Sequence, residues 1–289
     1  MRTEQLDWQQ AALLAAGLGA VSVAARHSTS KVLLAAAAYF SESALVAGLY
    51  SLWQLAGSLS VVGGGAGAFS RARWILRFEQ SAHLPSELDL QHLVNHHPLI
   101  EQACNLFYAG VHFAALGIFL LWLFIRHRDR YAQVRLVVVL LTLSCLLIQL
   151  LPVAPPRLLP AAGFVDTAAL YGQSVYHIAG VTTDQLSAMP SVHVGWATLV
   201  AWGVITVSES RWRWAILAHP AVTIFVVVAT ANHFWLDGIV AIVLLGFSIL
   251  LSRLFSLSRL ALLGRLRASK ASRHDDGNSR RTRAGAHLG

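Results

Sequence analysis

The sequence predicts an all-α polytopic membrane protein, with a core of six transmembrane helices and an extra helix at the N-terminus. Three observations carry that reading. The mean hydropathy is +0.57, charged residues are only 12 % of the chain, and the 56 % of hydrophobic residues gather in long runs joined by short polar links. A composition of this kind lies outside the range of soluble domains. The net charge of +8 does not point to nucleic acid, because the excess gathers after the last apolar run, as in a basic cytoplasmic tail.

Ala11 to Ala25 is an apolar run shorter than the roughly 20 residues a span needs. A short span, an interfacial helix and an uncleaved signal-like segment all stay open for it. A secretory signal needs a basic start, and here Arg2 is offset by Glu4 and Asp7. From Lys31 to about Gly57 a longer run can cross a bilayer, with Glu42 as its one acidic residue. An ionisable side chain in a span is a functional candidate, although one near a helix end can also snorkel or cap. Residues 1–30 therefore read as an N-terminal segment and 31–255 as the membrane-embedded domain.

Between Ser58 and Gln102 the character changes. Gly63, Gly64 and Gly65 break the helix; Arg71, Arg73, Arg77, Glu79, Glu87 and Asp89 then alternate with Phe69, Trp74, Ile75, Leu76 and Phe78. That mixture fits amphipathic helices at a membrane surface. His83, His92, His96 and His97 fall here without ligand spacing and read as solvated residues; no metal site and no cofactor is expected. Cys104 and Cys145 sit singly in apolar runs and read as buried thiols.

Cys104 to Ile125 is the next span. Asn105, Tyr108 and His112 recur in it at steps of three and four, so they share one helix face, which should point to the protein interior or a cavity. A basic loop from Arg126 to Arg135 leads to a span over Val134 to Leu151, ended by Pro152. The connection from Val153 to Ala188 is longer than connections usually are without a role. Spans follow at about Pro190 to Val207, Trp214 to Thr230 and Leu236 to Phe255. Residues 256–289 form a basic tail, expected to be partly disordered. Short cytoplasmic loops carry the Lys/Arg excess, so the Arg126–Arg135 loop, the Arg211/Arg213 link and the tail are expected inside. The 153–189 loop, His193 and the turn from His233 to Asp237 then share the extracytoplasmic side of a cell membrane, with Arg71, Arg73 and Arg77 against the rule.

Two histidines thus stand at one edge of two apolar segments. Pro190 suits the first turn of a helix. The N–H groups of Ser191, Val192 and His193, with the Ser191 hydroxyl and the helix dipole, would make an anion site there. His233 and Asp237 are four apart, so on a helix the carboxylate can reach the imidazole and fix its tautomer. A histidine held in that way can attack as a nucleophile while a second one protonates the leaving oxygen. Taken singly, each motif also fits structural histidines at helix ends; their common edge favours chemistry.

Pro190-Ser191-Val192-His193 and His233-x-x-x-Asp237 resemble the second and third signature motifs of the type 2 phosphatidic acid phosphatase superfamily. The resemblance runs from about Tyr108 to Asp237. The Tyr108/His112 face, Pro155-Pro156-Arg157-Leu158, Gly163-Phe164-Val165-Asp166-Thr167, Ala188 to His193 and Asn232-His233 resemble the inositolphosphotransferase branch, which includes fungal inositol phosphorylceramide synthase. The resemblance implies a six-helix core with His233 as nucleophile, Asp237 as its orienting partner, and His193 as general acid and later base. Its substrate-binding set would be Arg157, Ser191, Val192, His112, Tyr108, Asp166 and Asn232.

The sequence departs from the superfamily pattern in its cations. The only lysines are Lys31 and Lys270, Val192 stands where Gly is usual, and Val226-Val227 stand where Ser-Arg is expected. Arg157 is the candidate phosphate cation and His112 a second. A phosphodiester carries one negative charge where a monoester carries nearly two, and so suits this poorer complement. The expected activity is metal-independent transfer of an inositol-phosphate-type head group from one lipid to an alcohol acceptor. The alternatives are a lipid phosphate phosphatase and, from another class, a non-catalytic anionic-lipid binder or transporter. No inverted repeat or broken span supports a transporter.

Overall fold

The computed structural model describes residues 7–62, 67–174 and 185–257. Six of its helices are long and apolar enough to cross a membrane, and among the described residues no strand forms beyond one isolated bridge between Val153 and Ser187. The all-α membrane fold is therefore observed. Arg2, Glu4, Lys270 and the tail arginines from Arg259 onward lie outside the described residues. By compactness the chain divides into Met1–Leu245 and Gly246–Gly289.

The N-terminal run is a full helix, α1 (Trp8–Arg26), opened by a capping box in which Asp7 accepts from the Gln10 N–H and the Gln10 side chain accepts from Asp7. It packs against α2 (Lys31–Val62). Between helices in lipid the attraction comes from close packing rather than hydrophobic transfer, so small residues mark the seam. Ala11, Ser22, Ala25, Ala37 and Ala56 are buried, and Ser22 Oγ donates to the Ala37 carbonyl at 2.8 Å.

The 58–102 segment forms two short helices. In α3 (Ala68–Ser81) the buried residues Ala68, Ala72, Ile75 and Glu79 fall at steps of four, three and four, one face of a helix. That face packs on Val153, Ala154, Phe164, Ala188 and Phe234, so α3 lies over the loops that frame the histidines. In α4 (Glu87–Asn95) the Ser86 hydroxyl caps the Asp89 N–H at 3.1 Å. The four histidines of this segment are exposed, as expected.

The core spans are α5 (Pro98–Arg126) and α6 (Arg128–Gln149), the short apolar helix α8 (Val192–Val207), α9 (Ala218–Ala229) and α10 (Trp235–Leu257); α7 (Thr167–Leu170) is one turn inside the long connection. The first two core helices start earlier than hydropathy indicates, at Pro98 and Arg128, whereas α6 ends at Gln149, α8 starts at Val192 and α9 covers only Ala218–Ala229. The link before α9 differs in kind: Arg211–Leu217 winds as a 3-10 helix. Gly203 lets the Phe119 ring pack directly on the α8 backbone, since a Cβ there would lie 2.2 Å from Phe119 Cζ. Cys104 and Cys145 are buried free thiols.

Helix directions follow from three contacts. Gln149 at the end of α6 donates to the Pro190 carbonyl, the Ser191 N–H donates to the Asp237 carbonyl, and Glu42 near the start of α2 pairs with Arg135 near the start of α6. The motif residues thus gather at one end of the bundle. Arg26, Lys31, Arg126, Arg128, Arg211 and Arg213 lie at the other.

Candidate active site

Three pieces of chain meet at the site: the face of α5, the start of α8, and the turn between α9 and α10. Tyr108, His112 and His193 pack ring on ring. The Tyr108 and His193 centroids are 4.2 Å apart at 19°, and those of His112 and His193 are 4.0 Å apart. The shared face of Asn105, Tyr108 and His112 does point inward: Asn105 and His112 are buried, and Asn105 Oδ1 accepts from the Thr167 hydroxyl.

Pro190 is not the first helical residue. The Met189–Pro190 bond is cis, Ser191 is the N-cap and α8 starts at Val192. The Ser191 hydroxyl accepts from the Val194 N–H at 3.4 Å, and its own N–H is taken by Asp237. Of the anion site read from the sequence, the N–H groups of Val192 and His193 remain as the donors of the helix start with no acceptor among the described residues. The reason is tertiary: the backbone of α10 reaches the Ser191 N–H first.

His233 stands on a tight turn. Ala231 takes a left-handed φ of 52°, an uncommon conformation for a residue with a Cβ, and the N–H groups of Asn232 and His233 both donate to the Val227 carbonyl. The ring nitrogen Nδ1 of His233 lies 2.7 Å from the Ala188 carbonyl oxygen and 3.3 Å from Asp237 Oδ2. A carbonyl can only accept, so Nδ1 carries a proton, and in the neutral ring the lone pair is on Nε2. Nε2 has no hydrogen-bond partner among the described residues. Asp237 reaches the imidazole as the spacing predicts, but Ala188 is the closer partner. Asp237 Oδ2 also accepts from the Phe234 N–H at 2.9 Å, which secures the start of α10. The His193 and His233 centroids are 5.5 Å apart.

Arg157 is buried and held from several sides. Its Nε donates to Asn232 Oδ1 at 2.9 Å, one terminal nitrogen pairs with Asp166 Oδ2 at 2.6 Å, and its backbone N–H donates to the Ala231 carbonyl. Asp166 also caps α7 through the Ala169 N–H, so Asp166 and Asn232 both face Arg157. A small polar recess is lined by Arg157, Asp166, Asn105, Asn232 and Tyr108. His112 is set apart from this recess, against His193, Phe113 and Trp196.

Behind the pair lies a feature absent from the sequence reading. Glu79 Oε1 accepts from the Leu236 N–H at 2.6 Å, and Glu79 and Glu87 are both buried. Burial, and next the Glu87 carboxyl, push Glu79 up to about 9, and the Asp237 charge adds to the rise. Through the Leu236 N–H, Glu79 holds the first turn of the helix that carries Asp237. Periodicity offers the signal: Glu79 occupies the fourth position of the buried stripe on α3. The Ala188 carbonyl left no trace in the sequence, because any residue supplies one.

With this geometry in place, a family model described as PAP2 superfamily matches residues 73–251, well over half of the chain. The chain belongs to the PAP2 superfamily. Membership makes it a membrane enzyme of the phosphatase or phosphotransferase type, directed at lipid phosphates. The PAP2 match takes in α3 through most of α10 and leaves out α1 and α2. No curated protein and no solved structure matches significantly.

Proposed function

We propose that this PAP2 enzyme transfers a phosphorylated head group, of the inositol phosphate type, from a lipid phosphodiester to an alcohol through a phosphohistidine on His233. The observation that carries the reading is the state of His233: Nδ1 is bound by two acceptors, Nε2 has no partner among the described residues, and the His193 ring centre lies 5.5 Å away. In the first half-reaction Nε2 attacks phosphorus, the bond to the departing lipid oxygen breaks, and His193 gives that oxygen its proton. In the second, His193 takes the proton of the acceptor hydroxyl, the new P–O bond forms and the P–N bond breaks. Positive charge on the His233 ring is balanced by Asp237. Val192 and His193 N–H groups and Arg157 supply the anion contacts, while Tyr108 packs on the His193 ring.

The charge balance favours a diester. Arg157 shares its charge with Asp166, and no lysine occurs among residues 32–269. If water rather than an alcohol resolves the intermediate, the same site is a lipid phosphate phosphatase. Purified protein given radiolabelled phosphatidylinositol and phosphatidic acid separates the two. Transfer of labelled head group to an added lipid alcohol is expected, and free phosphate from the monoester alone would overturn the transferase reading. The cluster of basic residues at the bundle end away from His233 supports an extracytoplasmic site in the cell membrane. A cysteine replacing exposed Ala161 should then react with an impermeant thiol reagent in intact cells.

A further inference from the structure

A cleft of about 660 Å3 runs down the bundle from the histidines. His193, His233 and Gln149 line its mouth; Leu45, Leu49, Leu116, Leu120 and Val138 line its walls; Glu42, Tyr131 and Arg135 lie at its far end. Depth follows from the helices. From Arg135 to Gln149 is fourteen residues of α6, or about 21 Å at the helical rise. Half the thickness of a bilayer's hydrocarbon core is about 15 Å. The cleft is therefore deeper than one leaflet, largely apolar in its walls, and lined at one end by His193 and His233.

The far end is a different surface. Glu42 pairs with Arg135 through one carboxylate oxygen and accepts the Tyr131 hydroxyl with the other at 2.8 Å. An apolar chain pressed against this group would separate a paired charge from its remaining solvation, which is costly. Glu42 of this floor and the wall carrying Leu45 and Leu49 come from α2, outside the family-matched residues. Within the wall, Gly117 faces open space: a Cβ there meets nothing within 4 Å.

We propose that this cleft holds one hydrocarbon chain of the lipid substrate, and that the Glu42–Arg135–Tyr131 floor sets the chain length it accepts. The occupant is a chain rather than a protein segment, because both histidines line the mouth and the walls offer apolar contact from Gln149 down to Arg135. This inference rests on His233 being the reacting group.

The test uses the full-length protein in detergent or vesicles, with lauroyl, palmitoyl and stearoyl forms of one phospholipid and a chainless aryl phosphate ester. Gly117→Trp projects a ring into the cleft without a backbone clash, and Leu120→Trp does so one turn position away. Each should lower kcat/KM for the stearoyl lipid about tenfold relative to that for the aryl ester, with a smaller loss for the lauroyl lipid. A photoactivatable group at the chain end should label α2 or α6 near Glu42 and Tyr131. Unchanged chain preference in both variants, or label spread over the outer faces of the helices, would overturn the cleft as chain site. Absence of turnover of every ester by the parent protein would instead strike the reading of His233, and the photolabel would still decide the cleft.

Discussion

Two polar clusters lie at opposite ends of one cleft, and they treat their polar atoms differently. At the floor, the oxygens of Glu42 are matched, one with Arg135 and one with Tyr131. At the mouth, His233 is matched on Nδ1 only, and Nε2 has no hydrogen-bond partner among the described residues. Buried polar groups normally find partners, so a closed set stabilises and an open atom calls for an explanation. Glu42 was a functional candidate by its position in a span; both its oxygens are paired, whereas the open nitrogen is the atom on which the proposed chemistry rests.

Substitutions can break this contrast, and the largest effect should come from the open atom. His233→Gln removes the nucleophile and should lower kcat by about 10³-fold or more, with loss of the acid-labile phosphoenzyme on a radiolabelled trapping gel. Retained phosphoenzyme would move the nucleophile elsewhere. His193→Ala should cost about 10² to 10⁴ in kcat for a lipid alcohol leaving group. The loss should shrink for a nitrophenyl ester, whose leaving group needs no proton. Equal losses for both esters would deny His193 the role of acid.

Asp237→Asn should cost less than either, since the Ala188 carbonyl still holds Nδ1. Loss of one hydrogen bond to a charged group is worth about 1.5–3 kcal/mol, or roughly 10- to 100-fold in rate. The comparison of kcat for D237N and H193A measures whether the carbonyl or the carboxylate orients the ring.

Glu79 extends the contrast to pH. Its carboxyl is raised from 4.5 to about 9 in the folded protein, so the stabilisation from its neutral form is complete below 4.5. It is lost progressively as pH rises toward 9, where the charge must form beside Glu87 and Asp237. Thermal unfolding in detergent should therefore show falling stability over that window. Glu79→Gln keeps an acceptor for the Leu236 N–H and should flatten the profile; Glu79→Ala should also slow turnover. At the floor the effect on chemistry should be smallest. Glu42→Ala leaves Arg135 unmatched and should lower the unfolding temperature more than the double change Glu42→Ala with Arg135→Leu. The rate on the aryl ester should stay close to that of the parent.

Much of this was legible from residue order. Every apolar run became a helix, including the short N-terminal one, because a chain in lipid must satisfy its backbone internally. The face shared by Asn105, Tyr108 and His112 was legible because a helix repeats every 3.6 residues. The Pro190 reading failed locally: a start signal for α8 was placed correctly within two residues, but one of the three donors it implied, the Ser191 N–H, was claimed by the backbone of α10. Glu42 with Arg135, and Glu79 with Leu236, join residues far apart in sequence, and pattern alone does not pair them.

The sequence by itself determined the membrane class, the helices, and the histidines with Asp237 that the PAP2 match encloses. These depend on local periodicity and on short motifs, which survive without knowledge of neighbours. Only the tertiary structure decided that Ala188 fixes the tautomer of His233, that Asp166 and Asn232 serve Arg157, and that α2 closes a cleft beneath the histidines. Those features arise where separate helices meet, and backbone carbonyls and empty space have no letter in a sequence.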